Sequence, residues 1–354
     1  MSTSSLNTRK NYCSLDIAKF FCAILIISAH FASEIGSFPT IIDYGFSLYV
    51  IAVPFFFCCS GFLFFKKLFN LPTKEEKKKY FIQYEKRIWT MYGLWSAVYF
   101  IHVVYDWIVD KELSIVTVLK YVYRAIVSSS YSTIWFLPAI GVGVAITYFL
   151  VMKLKKKQII AITILLYVFC MFGYTYRFVI SETVIDNVYE VYIKMFFTTR
   201  NGVFNGVPFI FMGSLIAQKN ITPSVKGFFK YAIPAGVSLG LVIVEAFVLK
   251  LKFNVTGMDV GFFLVVFTYF FIMTVLNLDI KENKLWIWFR KLSLLIFVSQ
   301  RIFLSALPDM FPAVFDKIYA NSYIGLVAVI GMTITFSVVL ILLSKKVKFI
   351  RKMI

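Results

Sequence analysis

Long apolar runs separated by short, mostly basic segments are the main pattern of this 354-residue chain. A helix needs roughly 20 apolar residues to cross the hydrocarbon core of a bilayer, and most of the runs approach that length. The pattern predicts about ten transmembrane helices, at residues 15–33, 44–65, 88–109, 134–152, 159–176, 203–217, 231–249, 260–278, 286–307 and 323–343. The sixth run is short and glycine-punctuated, so its backbone should be buried in protein or line a cavity.

Basic residues alternate between dense and sparse along the loops. They are concentrated in the segments 66–87, 153–157, 219–230, 281–291 and 345–352. Loops rich in Lys and Arg stay in the cytoplasm, so this alternation predicts that both termini are cytoplasmic. Thr73 and Glu76 have capping-box spacing, which predicts a short interfacial helix before the third span. We expect an all-α, polytopic membrane protein forming a single domain over residues 1–354, without a separate soluble domain.

Composition supports the membrane assignment. The chain is 60% hydrophobic and only 16% charged, and its mean hydropathy is +0.80. A water-soluble fold could not hide so much apolar surface. The net charge of +19 does not indicate nucleic-acid binding, because the basic residues lie in short loops between apolar runs. The bilayer is the expected partner, and multi-pass insertion in the cytoplasmic membrane is the expected localisation.

The chain has only two histidines, and both lie within predicted spans. An ionisable residue inside a span is a functional candidate, although a histidine there can also serve as a structural hydrogen-bonding group. His30 lies eleven residues after Lys19, so the two share one helix face about 16 Å apart along the axis. This arrangement suits a bound anion whose reactive end reaches inward, and Asp16 could orient the lysine. For His102 we expect only an interhelical hydrogen bond.

Five stretches occur in an order that resembles the acyltransferase-3 family of integral membrane acyltransferases. They read LDIAKFFCAILIISAH, VPFFFCCSGFLFFKKL, YEKRIWTMY, TIWFLPAI and RNGVFNGVPFIFMG, and the resemblance runs in this order over nearly the whole chain. The resemblance implies transfer of an acyl group from cytoplasmic acyl-CoA. The acceptors it implies are cell-surface polysaccharides, other envelope polymers or small molecules. The membrane part of certain serine racemases belongs to the same family.

The resemblance also assigns residues by position. His30 matches the essential histidine of the family's first span, and Lys19 stands where the family usually has arginine. Lysine keeps the charge but loses the bidentate fork for phosphate. Gln300 replaces a histidine that often ends the corresponding ninth-span stretch. The other matched positions are Ser60, Gly61, Arg87, Trp135, Arg200, Gly202, Phe204, Gly206 and Gly213.

The sequence therefore predicts an acyl-CoA-dependent acyltransferase, with acetyl as the expected acyl group. The acceptor is expected to be a hydroxyl of an envelope glycan or its lipid-linked precursor. His30 is the predicted general base, with a transient acyl carrier as the less favoured role. We expect no metal and no permanently bound cofactor. Lys19, Arg87 and Asp16 are the predicted donor site, and the predicted acceptor side comprises Ser60, Trp135, Arg200, Gln300 and Arg301.

Two alternatives remain from the sequence alone. The same intramembrane polar residues could line the path of a transporter or flippase for a glycan or a small polar molecule. A membrane sensor or assembly partner without catalysis is the other alternative, because a ninth-span histidine is replaced by Gln300. Activity loss on His30 substitution would separate the enzyme from the scaffold, and substrate uptake would identify the transporter.

Overall fold

The computed structural model describes residues 12–39, 45, 47–255 and 258–354. These residues are helical or irregular, and none of them forms a strand. Two π-helical segments interrupt the bundle, at Gly202–Gly206 and Ile302–Ala306. The α-helices, numbered along the chain, are α1 Cys13–Glu34, α2 Ala52–Phe69, α3 Lys74–Val109, α4 Ile115–Val127, α5 Phe136–Lys153, α6 Lys156–Gly173, α7 Val184–Phe196, α8 Val207–Ala217, α9 Val225–Phe253, α10 Phe262–Leu276, α11 Lys284–Arg301, α12 Leu307–Met310, α13 Pro312–Tyr319, α14 Ser322–Leu343 and α15 Lys348–Arg351.

All ten predicted spans coincide with helical segments, although the start of the second, 44–46, lies largely outside the described residues. Two of the segments, Gly202–Ala217 and Phe262–Leu276, are apolar but shorter than a full span. The segments long and apolar enough to cross a membrane are Cys13–Glu34, Leu48–Phe69, Thr133–Lys153, Lys156–Gly173, Val225–Phe253, Lys284–Met310 and Ser322–Leu343. The count of about ten spans and the orientation of the termini stay predictions.

The third span departs from the sequence prediction. A separate interfacial helix was expected before it, but α3 runs without interruption for 36 residues from Lys74 to Val109. Thr73 caps its start as expected, since the Thr73 side chain accepts a hydrogen bond of 3.1 Å from the backbone N–H of Glu76. No proline lies within α3, and its one glycine, Gly93, is a mild cost that a long helix tolerates.

Close packing at the crossing of α2 and α8 explains a glycine in each of two quoted stretches, Gly61 in VPFFFCCSGFLFFKKL and Gly213 in RNGVFNGVPFIFMG. A Cβ atom on Gly61 would lie 2.2 Å from the backbone oxygen of Ile210, and one on Gly213 would lie 2.2 Å from that of Cys58. The two helices therefore approach so closely that only glycine fits, as in small-residue packing between membrane helices. This contact fixes α2 against α8 in the centre of the main apolar core.

Two helices that the sequence pattern did not predict, α4 and α7, lie in the loops expected outside the membrane. Each has 13 residues and a strong apolar face. The exposed apolar residues include Ile115 of α4 and Val184 of α7. The Tyr123 hydroxyl of α4 donates to the backbone oxygen of Met195 in α7 at 2.7 Å. Short amphipathic helices with exposed apolar faces are typical of segments that lie along a membrane surface.

Candidate active site

A cavity of about 170 Å³ within the bundle contains His30. Residues from six separate parts of the chain line it, which explains why no single sequence motif describes it. The lining consists of Ile26, His30, Tyr49, Val53, Ser132, Thr133, Trp135, Arg200, Asp259, Phe297 and Arg301. Four residues predicted from the sequence, His30, Trp135, Arg200 and Arg301, therefore meet at one place, while their roles stay predictions.

His30 stands beside an ion pair between a buried arginine and a solvent-exposed glutamate. Arg301 ends α11, and its guanidinium holds the Glu34 carboxylate with two hydrogen bonds, one of them 2.7 Å long. The His30 Nδ1 atom lies 3.3 Å from an Arg301 nitrogen and 3.5 Å from a Glu34 oxygen. The Arg301 side chain is only 10% exposed, whereas that of Glu34 is 36% exposed. The imidazole thus faces one cation and one anion at nearly equal distances.

Two tautomers of the imidazole fit this geometry. The Arg301 guanidinium, which can only donate, meets an unprotonated Nδ1 at 3.3 Å, whereas a protonated Nδ1 faces the Glu34 carboxylate at 3.5 Å. If Nδ1 carries the proton, its hydrogen points to the Glu34 carboxylate and the lone pair of Nε2 is left for a ligand. A carboxylate behind a histidine fixes the ring orientation and the tautomer in the same way as in acid–base dyads. Glu34 lies one helical turn after His30, so a single helix supplies both groups.

A second polar group lines the same cavity. Arg200 forms an ion pair with Asp259, and the guanidinium lies 5.1 Å from the ring centres of both Trp135 and Tyr174. The Tyr174 hydroxyl donates to Asp259 at 3.0 Å, and Tyr49 is also within hydrogen-bonding reach of that carboxylate. Flat aromatic rings beside paired charges can bind a sugar or another polar molecule.

Both cavity arginines lie within two residues of the start of a π-helical segment. Arg200 comes two residues before Gly202–Gly206, and Arg301 immediately precedes Ile302–Ala306. In the first segment, a Cβ atom on Gly202 would lie 2.5 Å from the backbone oxygen of Ala139. The sequence expectation that this glycine-rich backbone is buried in protein is therefore confirmed. Single π-helical turns occur often at functional sites, because they alter the direction of the side chains beside them.

Thr133 adds an unsatisfied hydroxyl. Its side-chain oxygen is buried and has no hydrogen-bond partner among the described residues, although Thr133 lines the cavity. A buried polar atom without a partner costs about 1–3 kcal/mol, so such atoms usually bind water or a ligand. Thr133 is therefore a further candidate for contact with a substrate.

A larger cavity of about 420 Å³ opens near the start of α1. Lys66 and Lys219 line it together with Tyr12, Thr222 and Asp279. The Lys66 ammonium donates to the backbone oxygens of Ala217 and Lys219, at 3.0 and 3.2 Å. Burial raises the pKa of the Tyr12 phenol, so its hydroxyl is uncharged. This cavity offers two cations on the side predicted to face the cytoplasm.

The predicted donor residues lie apart from both cavity linings. Lys19 forms an ion pair of 2.9 Å with Asp16, which confirms that Asp16 contacts the lysine. The buried Asp16 also binds Arg290 of α11 at 2.8 Å, so it joins two helices. An Arg87 nitrogen donates to the backbone oxygen of Ile354 at 3.3 Å. The structure does not bring Arg87 to Lys19 through any contact of the described residues.

Ser60 and Gln300, predicted for the acceptor side, line neither cavity. The Ser60 hydroxyl donates to the backbone oxygen of Phe56 at 2.8 Å within α2. Gln300 is fully buried, and its amide donates to Phe297 at 2.9 Å. Arg301, also predicted for the acceptor side, contacts His30 directly. Glu245, an acidic residue within α9, accepts hydrogen bonds of 2.7 and 3.1 Å from two backbone N–H groups at the start of α10.

Comparison with known proteins identifies the family. A family model described as an acyltransferase domain, acyltransferase family 3, matches residues 13–342. The chain therefore belongs to this family of membrane acyltransferases, as the ordered stretches of sequence predicted. Its similarity to individual proteins is lower, and no solved structure matches it.

Two racemases are among the similar proteins. An amino-acid racemase of Enterococcus faecalis is 27% identical over 216 residues, which are 60% of this chain and 29% of that protein. A serine/alanine racemase of Enterococcus gallinarum is 24% identical over 202 residues, which are 57% of this chain and 28% of that protein. The chain thus matches less than a third of the length of either racemase.

The candidate residues Glu34, Tyr49, Thr133 and Asp259, at or beside the cavity, were not predicted from the sequence. Glu34 could have been found, because it lies four residues after His30 and immediately after the predicted first span. Asp259 and Tyr49 gave no local signal. They reach the cavity only through tertiary packing, because each lies at the end of an apolar run.

Proposed function

We propose that this chain transfers an acyl group, with acetyl as the expected one, from cytoplasmic acyl-CoA to a hydroxyl of an envelope glycan or its lipid-linked precursor. The observation that carries the proposal is the contact of His30 with Glu34 and Arg301 inside a cavity lined by polar and aromatic side chains. Membership of an acyltransferase family supports the reaction class.

The reaction we propose begins at the acceptor. Nε2 of His30 removes the proton from the acceptor hydroxyl, and the hydroxyl oxygen attacks the thioester carbonyl carbon. The bond between that carbon and sulfur then breaks, and the CoA thiolate takes the proton back from the imidazolium. Glu34 stabilises the transient imidazolium, since its carboxylate lies 3.5 Å from Nδ1. Trp135 and Arg200 offer a stacking ring and a charged group to the acceptor.

The donor is proposed to enter from the side of the larger cavity. Lys66 and Lys219 offer charge to the CoA phosphates there, and Lys19 offers it further along α1. Lys19 and His30 are about 16 Å apart along the helix, a distance that an extended pantetheine arm suits. Acyl-CoA is therefore the proposed co-substrate, and the cytoplasmic membrane the proposed location.

The test is acyl transfer by purified protein in proteoliposomes, supplied with acyl-CoA labelled in the acyl group. Mass spectrometry of envelope glycans from cells with and without the gene identifies the acceptor. We expect a labelled ester on a glycan or its lipid-linked precursor only when the protein is present. Identical glycan profiles and no transferred label would contradict the proposal.

Movement of a small polar molecule across the membrane is the second candidate function. Two π-helical breaks beside cavity arginines favour it, because interrupted helices are typical of transport sites. The racemase names suggest an amino acid as the molecule to try. Uptake of labelled serine or alanine into the same proteoliposomes, without acyl transfer, would establish this alternative.

A further inference from the structure

A second cluster of ionisable groups lies at the end of α3, outside the cavity that contains His30. His102 is buried, and its Nε2 atom lies 3.1 Å from an Asp309 carboxylate oxygen and 3.4 Å from one of Asp106. One ligand atom from each of the three residues falls within 4.8 Å of the others. The carboxylates are reached by solvent, since the Asp106 and Asp309 side chains are 42% and 54% exposed.

The other ring nitrogen of His102 is also held in place. Nδ1 lies 2.9 Å from the Tyr131 hydroxyl, and the Tyr131 ring stacks on Tyr99 with centres 4.3 Å apart. Histidines that bind metals usually direct their second nitrogen to such a partner, which fixes the tautomer and the ring. With Nδ1 protonated toward Tyr131, the Nε2 lone pair faces two carboxylates, so a positive charge is needed between them, supplied by a metal ion or by a proton on Nε2.

We propose that His102, Asp106 and Asp309 bind a divalent transition-metal ion, with zinc as the best fit. Two ligands on a tetrahedral zinc at about 2.0–2.1 Å lie about 3.3 Å apart, close to the separations of 3.1 and 3.4 Å around Nε2. One imidazole and two carboxylates are ligands that zinc accepts, and water completes the set through the exposed side. No metal was expected from the sequence, and the geometry of these three side chains points to a different conclusion.

The bound ion would join segments that reach the cavity. His102 and Asp106 belong to α3, while Asp309 belongs to α12, which follows the π-helical segment after Arg301. The Tyr105 hydroxyl already donates to the backbone oxygen of Asp309 at 3.1 Å. Tyr131 precedes Thr133 and Trp135 in the chain. The ion would therefore stabilise the segments around the cavity and need not take part in acyl transfer.

The test is equilibrium dialysis of purified, detergent-solubilised protein against zinc, with bound metal measured by mass spectrometry and thermal unfolding recorded with and without zinc. We expect about one zinc per chain and a higher unfolding temperature with zinc. His102→Gln should lose the bound ion. Tyr131→Phe keeps the stacked ring but removes the hydroxyl, and it should weaken zinc binding about 10–100-fold.

Matched variants separate loss of a zinc ligand from loss of folding. Asp106→Asn and Asp309→Asn change exposed side chains by one charge each, so they test the ligands even if His102→Gln fails to fold. Asp110→Asn removes a carboxylate one turn beyond Asp106 and should bind zinc like the unchanged protein. His30→Gln should also keep the ion. No bound zinc in the unchanged protein, or equal binding after Asp106→Asn and Asp309→Asn, would overturn the proposal and leave His102 a hydrogen-bonding residue.

Discussion

Glu34→Gln tests how the cavity controls the charge of His30. When His30 takes up a proton it becomes a cation, 3.5 Å from the Glu34 carboxylate and 3.3 Å from the Arg301 guanidinium. At an effective dielectric constant of ~20, each interaction is about 5 kcal/mol in size and the two have opposite signs. The attraction and the repulsion therefore nearly cancel in the unchanged protein. Glu34→Gln removes the attraction alone.

The remaining repulsion opposes proton uptake in the transition state. Water reaches Glu34, whose side chain is 36% exposed, so we discount the Coulomb figure to about 2 kcal/mol. That corresponds to a loss in kcat of about 30-fold. The double variant Glu34→Gln with Arg301→Gln removes both charges, so it should be faster than Glu34→Gln alone.

The assay is kcat for acyl transfer at saturating acyl-CoA, compared among the unchanged protein, both single variants and the double variant. Equal amounts of folded protein, judged by size-exclusion chromatography, are used throughout. Arg301→Gln alone removes the repulsion, so the same reasoning predicts no loss of kcat from it and a recovery of kcat in the double variant relative to Glu34→Gln. A double variant as slow as Glu34→Gln alone, or slower, would refute the electrostatic reasoning.

Three further predictions address the donor site, the packing and the topology. Lys19→Ala should raise the apparent KM for acyl-CoA and Lys19→Arg should keep it low, because the phosphate contact needs the charge; an unchanged KM in Lys19→Ala contradicts this. Gly61→Ala should lower the stability by about 1–3 kcal/mol in thermal unfolding, because its Cβ meets the Ile210 backbone at 2.2 Å. Gly236→Ala is the control, since nothing lies within 4 Å of the added atom; equal effects of the two would contradict the close packing of α2 on α8 as the cause. Cysteine labels at positions 115, 190 and 315 should be accessible from outside and those at 75, 155, 225 and 350 from inside, and two reversed positions would refute the orientation.

The sequence predicted the helical segments well, because apolar runs of span length leave few other structures possible in a bilayer. The sequence-based prediction was incomplete where one local pattern is compatible with two structures. The capping signal at Thr73 was correct, but it could not say whether the helix would stop before the third span. The apolar faces of α4 and α7 are too short to register as spans, and they emerge only when helical periodicity is examined in the loops.

For the candidate site, too, some residues could be predicted from the sequence, whereas their contacts could not. His30 and Arg301 stood out because ionisable groups within apolar runs are rare. Their direct contact depends on the packing of α1 against α11, which no local pattern encodes. The roles of the Asp259 carboxylate and the Tyr131 hydroxyl depend on contacts with residues distant in the sequence. These residues are Arg200 and His102, respectively.

The central claim is that His30 is the general base, and His30→Gln tests it most directly. Acyl transfer is measured with equal amounts of folded protein, and binding of acyl-CoA is measured in parallel. General-base catalysis contributes about 10²–10⁴-fold, so His30→Gln should lose at least about 100-fold in turnover while its donor binding remains near that of the unchanged protein. His102→Gln, the variant of the other histidine, should lose far less in the same assay. Near-normal turnover in His30→Gln would contradict the assignment of His30 as the base.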